Sequence, residues 1–288
     1  MRLLVTGGAG MLGQAVAAAA TRLGHDVVAL SRAELDITDA DHVRRVIAAA
    51  EPRAVINCAA WTDVDAAETA EAAATAVNAD GAGNVARAGA ETGARIVHVS
   101  TDYVFDGERQ HAGDGTGEPW VESDAVNPIG AYGRSKLAGE EQVAAAADDH
   151  VIVRAAWLYG AGGRNFVDTM LALGAERDEV SVVTDQVGSP TWTVHLAEGL
   201  VELAERGDVG ILHATGGGAC SWYELAVEIF DRAGLRCRVL PTTSDRFPRP
   251  ARRPAYSVLG TERDAAPVLP PWPDGVAAYL SEKAVVAR

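Results

Sequence analysis

Tyr132 and Lys136, in the run AYGRSKLAGE, are separated by the i, i+4 spacing that sets a phenol and an ammonium on one helix face. A phenol with a pKa near ~10 exchanges protons poorly at neutral pH, but a neighbouring positive charge favours its ionised form. Such a tyrosine can exchange a proton with a substrate oxygen while hydride passes at the carbon. An isolated pair of this kind is more often a packed tyrosine beside a solvated lysine. Here VHVSTDYVFDG lies upstream, placing the hydroxyls of Ser100 and Thr101 just beyond an apolar strand, where open α/β sheets bind ligands. His98 and Asp102 flank these hydroxyls and read as supporting residues.

A second constellation opens the chain. In TGGAGMLG, Gly7, Gly10 and Gly13 follow an apolar run and lead through Met11 and Leu12 into a helical pattern. Glycines there permit a tight turn and close backbone approach, and the helix N-terminus favours phosphate charge. The spacing therefore predicts a dinucleotide site. At the end of the second strand, where an acid would meet a free ribose 2′-hydroxyl, the chain reads Leu30, Ser31, Arg32. Arg32 can pair with a 2′-phosphate, which favours NADPH, while Asp36 nearby could serve as a ribose acid and leaves NADH as the alternative.

The elements that must position these groups follow a βαβ rhythm. Strands are predicted at 3–6, 26–30, 54–57, 95–99 and 151–154, and helices at 11–23, 40–50, 76–91 and 132–147. This is an α/β fold, a Rossmann-type doubly wound parallel sheet, with residues 1–160 as the dinucleotide-binding domain. Residues 161–288 form mainly a smaller C-terminal substrate lobe, with about 191–214 returning to the first domain. Helices near 165–177, 194–206 and 222–233 and strands near 180–183 and 211–213 belong to this second half. From Pro241 to Pro254 an extended basic loop carries Arg246, Arg249, Arg252 and Arg253, and an arginine there could grip a diphosphate.

Bulk properties narrow the class. A chain of 288 residues can bury a full core, and its formal net charge of -15 argues against general affinity for nucleic acid or anionic membrane. Cys58, Cys220 and Cys237 form no CxxC pair, so neither a disulfide framework nor a cysteine metal site is expected. No apolar run reaches the ~18 residues of a membrane helix, and a soluble, cytoplasmic protein without a metal is expected.

TGGAGMLGQ, LDITD, VINCAAWTDVDAAE, VHVSTDYVFDG, NPIGAYGRSKLAGE, VRAAWLYG, NFVDTM and DQVGSPTW occur in this order along nearly the whole chain. In these motifs the sequence resembles the extended short-chain dehydrogenases/reductases and, within them, the dTDP-4-dehydrorhamnose reductase family. The resemblance implies a catalytic trio of Thr101, Tyr132 and Lys136, with Tyr132 as general acid and Lys136 also on the nicotinamide ribose. It implies cofactor contacts from Asp36 and Ile37 beside the adenine, from Cys58, Ala59 and Ala60 along the dinucleotide, and from Ser100. Thr62, Val64, Tyr103 and Trp157 match sugar-pocket positions, and Asn165, Gln186 and Arg253 positions near the nucleotide. For Trp157 a place in the core is the competing reading.

The reaction implied is NADPH-dependent reduction of the C4 keto group of a dTDP-linked 6-deoxy-4-ketohexose. Most directly this is dTDP-4-dehydro-L-rhamnose; a specialised sugar, as in a dTDP-dihydrostreptose synthase, is the variant. A non-catalytic NADP-binding regulatory subunit and an epimerase are the readings of other classes. Three departures stand out. The 106–124 loop is long and glycine-rich and reads as a mobile cover, and RRPAYSVL carries Tyr256 where asparagine is usual. Ala15 replaces the first glutamate of a magnesium-linked dimer, so a homodimer, if formed, would not use that metal.

Overall fold

In the computed structural model, which describes residues 1–109 and 117–286, six parallel strands form the central sheet. They are β1 (Arg2–Thr6), β2 (Asp26–Leu30), β3 (Ala54–Asn57), β4 (Arg95–Thr101), β5 (His150–Ala155) and β6 (Gly210–His213). Their spatial order is β6-β5-β4-β3-β1-β2, so the chain reverses direction across the sheet between β1 and β3. Ligands of doubly wound folds bind at such a switch point, beyond the carboxyl ends of the strands. The central strands read as continuous apolar runs because both faces are covered. Val5, Ile56, Val97 and Val153 pack towards the helices Met11–Arg22 and Thr193–Glu205, while Leu4, Val55, Ile96 and Ile152 pack towards Ala40–Ala50, Ala82–Glu91 and Ala131–Ala146.

The strand and helix expectations for the first 160 residues hold, with two differences. β4 continues to Thr101, because its register with β5 runs on through Ser100↔Arg154 and Thr101↔Ala155. The helix expected at 76–91 is a π-helical turn, Ala76–Gly81, leading into Ala82–Glu91. Farther along, β6 and the helix Thr193–Glu205 join the main sheet and its core. A separate hydrophobic cluster gathers Tyr159, Val167, Leu225, Ile229 and Phe230. The C-terminal helix Trp272–Val286 has no counterpart in the sequence reading, since Pro270, Pro271, Pro273 and Gly275 obscure its start.

The arginine-rich segment is more structured than an extended loop. Arg238–Thr242 is a strand parallel to Glu179–Val183, followed by a 3₁₀ turn at Ser244–Arg246. The expected mobile cover at 106–124 includes residues 110–116, which lie outside the described residues. Its described flanks are anchored. Trp120 stacks on Phe105 with ring centroids 4.7 Å apart, and Arg109 lies 4.3 Å above the Trp120 ring. Tyr256 is buried, and its hydroxyl donates to the Gly117 carbonyl at 3.0 Å. The departure at 256 thus packs under the loop base. No helix of the described residues is long and apolar enough to cross a membrane.

Candidate active site

The end of β1 delivers the glycine turn. Gly7 has φ +65°, and a Cβ there would lie 2.8 Å from the Ala59 backbone nitrogen, so only glycine lets β1 and the β3 loop approach this closely. A Cβ on Gly13 would overlap the Gly7 carbonyl oxygen, which fixes Gly13 as the contact between helix and turn. The helix starts at Met11 on the N-cap Gly10, with no side-chain cap and no acidic residue in its first turn. Its leading N–H groups are therefore left for an anion. Leu12 and Ile37 bury their side chains in the core, so a dinucleotide would meet them through backbone. These features fit a pyrophosphate at the helix end.

Beside it, Thr6 Oγ1 donates to Asn57 Oδ1 at 2.5 Å and Asn57 Nδ2 lies 3.0 Å from His98 Nδ1, tying the ends of β1, β3 and β4 together. His98 is buried; desolvation holds its pKa well below the usual imidazole value, and its Nε2 has no hydrogen-bond partner among the described residues. After β3, Cys58, Ala59 and Ala60 form the loop running along the switch point. Burial pushes the Cys58 thiol up to about 12, so it stays protonated.

Asn78, a residue the sequence reading missed, fixes this loop. Its Oδ1 accepts from Trp61 N at 2.8 Å, while Nδ2 donates to Trp61 O at 3.1 Å and to Ser135 Oγ at 2.9 Å. Ser135 Oγ in turn donates to the Tyr132 carbonyl. One buried amide therefore joins the loop to the helix that carries Tyr132 and Lys136. Gly139 allows the contact, because a Cβ there would overlap the Asn78 carbonyl. A π-turn leaves no regular periodic signal, which is why Asn78 was not legible beforehand.

Tyr132, Lys136 and Thr101 come together as expected. Lys136 is 2% exposed, and Nζ donates to the Val99 carbonyl at 2.7 Å. Desolvation lowers its pKa to about 8, opposed by the charge of Glu140. The Thr101 hydroxyl beside the Tyr132 phenol favours the phenolate, yet burial outweighs it and raises the Tyr132 pKa to about 12. The sequence reading had a nearby cation favouring the phenolate. In the structure desolvation dominates, so the phenol is protonated at neutral pH, the form a proton donor needs. Thr101 Oγ1 donates to Asp102 Oδ1 at 2.9 Å, and burial raises the Asp102 pKa to about 6.

Ser100 is a correction. It points to the opposite face of β4 from Thr101, and its hydroxyl donates to Glu140 Oε1 at 2.5 Å. Glu140 also receives Arg154 through Nε at 2.9 Å and Nη2 at 2.7 Å, a buried bidentate pair. This arrangement braces β4 and β5 against the Tyr132 helix and leaves Ser100 spent on structure.

Around the sugar-pocket positions, Tyr103 meets Tyr132 edge-on, centroids 5.5 Å apart at 79°. Val64 starts the short helix Val64–Ala67, and Thr62 is exposed just before it. Trp157 is half-buried and has a left-handed backbone, φ 48°. It stacks on Trp222 at 3.5 Å and 2°, so it is fixed by packing and part of its surface remains open. Gln186 and Arg253 line a 440 Å³ groove with Arg249, Arg252, Phe247 and Ser244. Gln186 is held by Ser244 Oγ at 2.7 Å and by the Trp222 indole at 3.2 Å. Asp65, also missed, anchors the basic segment. Its carboxylate lies 3.1 Å from Arg253 and 3.5 Å from Arg249, and it accepts from the Ala251 amide.

Asn165 is the second correction. Its Oδ1 caps the helix Phe166–Glu176 by accepting from Asp168 N at 2.9 Å, and its Nδ2 donates to the Gly160 and Gly163 carbonyls. The hydrogen bonds of this amide among the described residues all run within the protein. Asn165→Ala is therefore expected to lower stability by about 1–2 kcal/mol, read as a fall in melting temperature, with substrate KM unchanged within about twofold.

Known proteins similar in sequence to this chain include dTDP-ketosugar reductases. The chain is 45% identical over 289 residues to the dTDP-4-dehydrorhamnose reductase of Mycobacterium tuberculosis, covering 98% of this chain and 93% of that protein. It is 46% identical over 261 residues to the dTDP-4-keto-6-deoxy-D-glucose reductase of Streptomyces niveus, covering 90% and 88%. Among solved structures, the Bacillus anthracis dTDP-4-dehydrorhamnose reductase in complex with NADP superposes with a TM-score of 0.92 at 38% identity, covering 98% of this chain and 99% of that one. The RmlD substrate binding domain model matches residues 1–285, and the chain belongs to that family.

Proposed function

We propose that this chain is an NADPH-dependent oxidoreductase that reduces the C4 keto group of a dTDP-6-deoxy-4-ketohexose, with dTDP-4-dehydro-L-rhamnose the foremost substrate and dTDP-L-rhamnose the product. The observation that carries the reading is the convergence of Thr101, Tyr132 and Lys136 at the carboxyl edge of β4, beside a glycine turn built for a dinucleotide. The names of the M. tuberculosis and B. anthracis relatives, one of them bound to NADP, support the same chemistry.

Gly7, Gly10 and Gly13, with the N–H groups of Met11 and Leu12, would hold the pyrophosphate, and Cys58, Ala59 and Ala60 would flank the dinucleotide. NADPH supplies the hydride when bound. Tyr132, protonated at neutral pH, donates its phenolic proton to the C4 oxygen, and Thr101 would turn its hydroxyl proton from Asp102 to the same oxygen. Lys136 would hold its ammonium beside the cofactor ribose and offset the negative charge left on the tyrosine. Tyr103 and Trp157 bound the sugar; Gln186 and Arg253 line the groove towards the nucleotide, where a guanidinium suits a diphosphate.

The test is NADPH oxidation with dTDP-4-dehydro-L-rhamnose, run beside dTDP-4-keto-6-deoxy-D-glucose because the S. niveus relative acts on the latter. Turnover on the rhamnose precursor is expected. Preference for the other sugar would move the chain to a specialised pathway, and NADPH binding without turnover on either would favour a regulatory subunit.

A further inference from the structure

Ser31 and Arg32 stand at the tip of β2, directly beside the glycine turn. Gly8 N donates to the Leu30 carbonyl at 2.8 Å, and a Cβ on Gly8 would lie 2.9 Å from Leu30 N. A dinucleotide with its pyrophosphate at the adjoining helix end brings its adenosine ribose to this tip. The tip offers a backbone N–H, a hydroxyl and a guanidinium, a donor set suited to a 2′-phosphate.

The chain's own acids already take these donors. Ser31 N and Ser31 Oγ both donate to Glu34 Oε2, at 2.8 and 2.7 Å. Arg32 Nε lies 3.6 Å from Asp36, whose carboxylate also accepts from Thr38 N and Thr38 Oγ1. Asp36 is thus held by its own turn, whereas the hydrogen bonds of the exposed Glu34 among the described residues all run to Ser31. The tip carries one positive charge against two negative ones. A 2′-phosphate, itself near -2 at neutral pH, meets Arg32 favourably and Glu34 unfavourably.

We infer that Glu34 is the cofactor-selecting residue of this chain, its carboxylate occupying the Ser31 donors that a 2′-phosphate would take and so weakening NADPH relative to NADH. The inference rests on the dinucleotide reading above. With NADH the same carboxylate stays in place and can accept from the ribose 2′-hydroxyl. Arg32 and Glu34 then oppose each other, and their balance sets the ratio.

The experiment measures binding of NADPH and NADH by calorimetry, and kcat/KM for both, in the native protein, Glu34→Ala and Glu34→Gln. For Glu34→Ala, removal of one like charge at the phosphate is expected to tighten NADPH about tenfold at low salt and to leave NADH equal or weaker. Glu34→Gln, which loses the charge but keeps an acceptor for the Ser31 donors, is expected to recover only part of that gain. Unchanged or weaker NADPH binding in both variants, with both cofactors still bound by the native protein, would overturn the inference. Failure of the native protein to bind either cofactor would instead overturn the dinucleotide reading, and this inference with it.

Discussion

Tyr132→Phe is expected to lower kcat on the ketosugar by about 10²- to 10⁴-fold, the usual contribution of a positioned proton donor, while NADPH affinity stays within about twofold. The buried phenol sits against the Thr101 hydroxyl with its pKa raised to about 12, so at neutral pH it holds a proton that phenylalanine cannot supply. The ring itself is retained, so its edge-on contact with Tyr103 and the packing of its helix survive. Equal losses in kcat and kcat/KM would identify an interaction made in the transition state. Turnover within a few-fold of native would remove Tyr132 from the mechanism.

Lys136→Met is expected to damage two steps at once, lowering kcat by about 10²-fold or more and weakening NADPH about tenfold. The side chain is buried, its ammonium donates to Val99 O, and a methionine fills the space without the charge. The same group sets a pH dependence. Desolvation brings its folded-state pKa to about 8, below the ordinary 10.5, so the free protein loses this ammonium as pH rises through about 8. The kcat/KM profile should therefore decline on its alkaline side from that region. The sign for stability is opposite: the penalty for burying the ammonium is present below about pH 8 and disappears as pH rises from there towards 10.5. An alkaline limb that persists in Lys136→Met would assign it to another group, and unchanged kinetics would place the ammonium outside the chemistry.

Much of this was legible in the sequence for physical reasons. The strands of the central sheet are short β-branched runs, and the glycine turn needs residues without a Cβ at fixed spacing, so composition and position report them directly. Tyr132 and Lys136 were legible because a helix turns i, i+4 into a shared face. Side-chain direction at a strand end was less accessible. Ser100 and Thr101 are neighbours, and the alternation of a strand sends one to Glu140 and the other to Tyr132. Asn165 carried the residue type of both a ligand contact and an N-cap, and only the bond to Asp168 N decides between them. Asn78 and Asp65 act through partners distant in sequence, Ser135 for one and Arg253 for the other, which no local pattern encodes. The Tyr132 pKa followed burial, a property of the fold as a whole.

The fate of the transferred hydrogen reports the reaction itself. With NADPH carrying deuterium at the transferable position of the nicotinamide and dTDP-4-dehydro-L-rhamnose as substrate, the expected product is a dTDP-6-deoxyhexose with deuterium at C4, formed mole for mole with oxidised cofactor. Sugar conversion without net cofactor oxidation, or a product with no deuterium at C4, would contradict it.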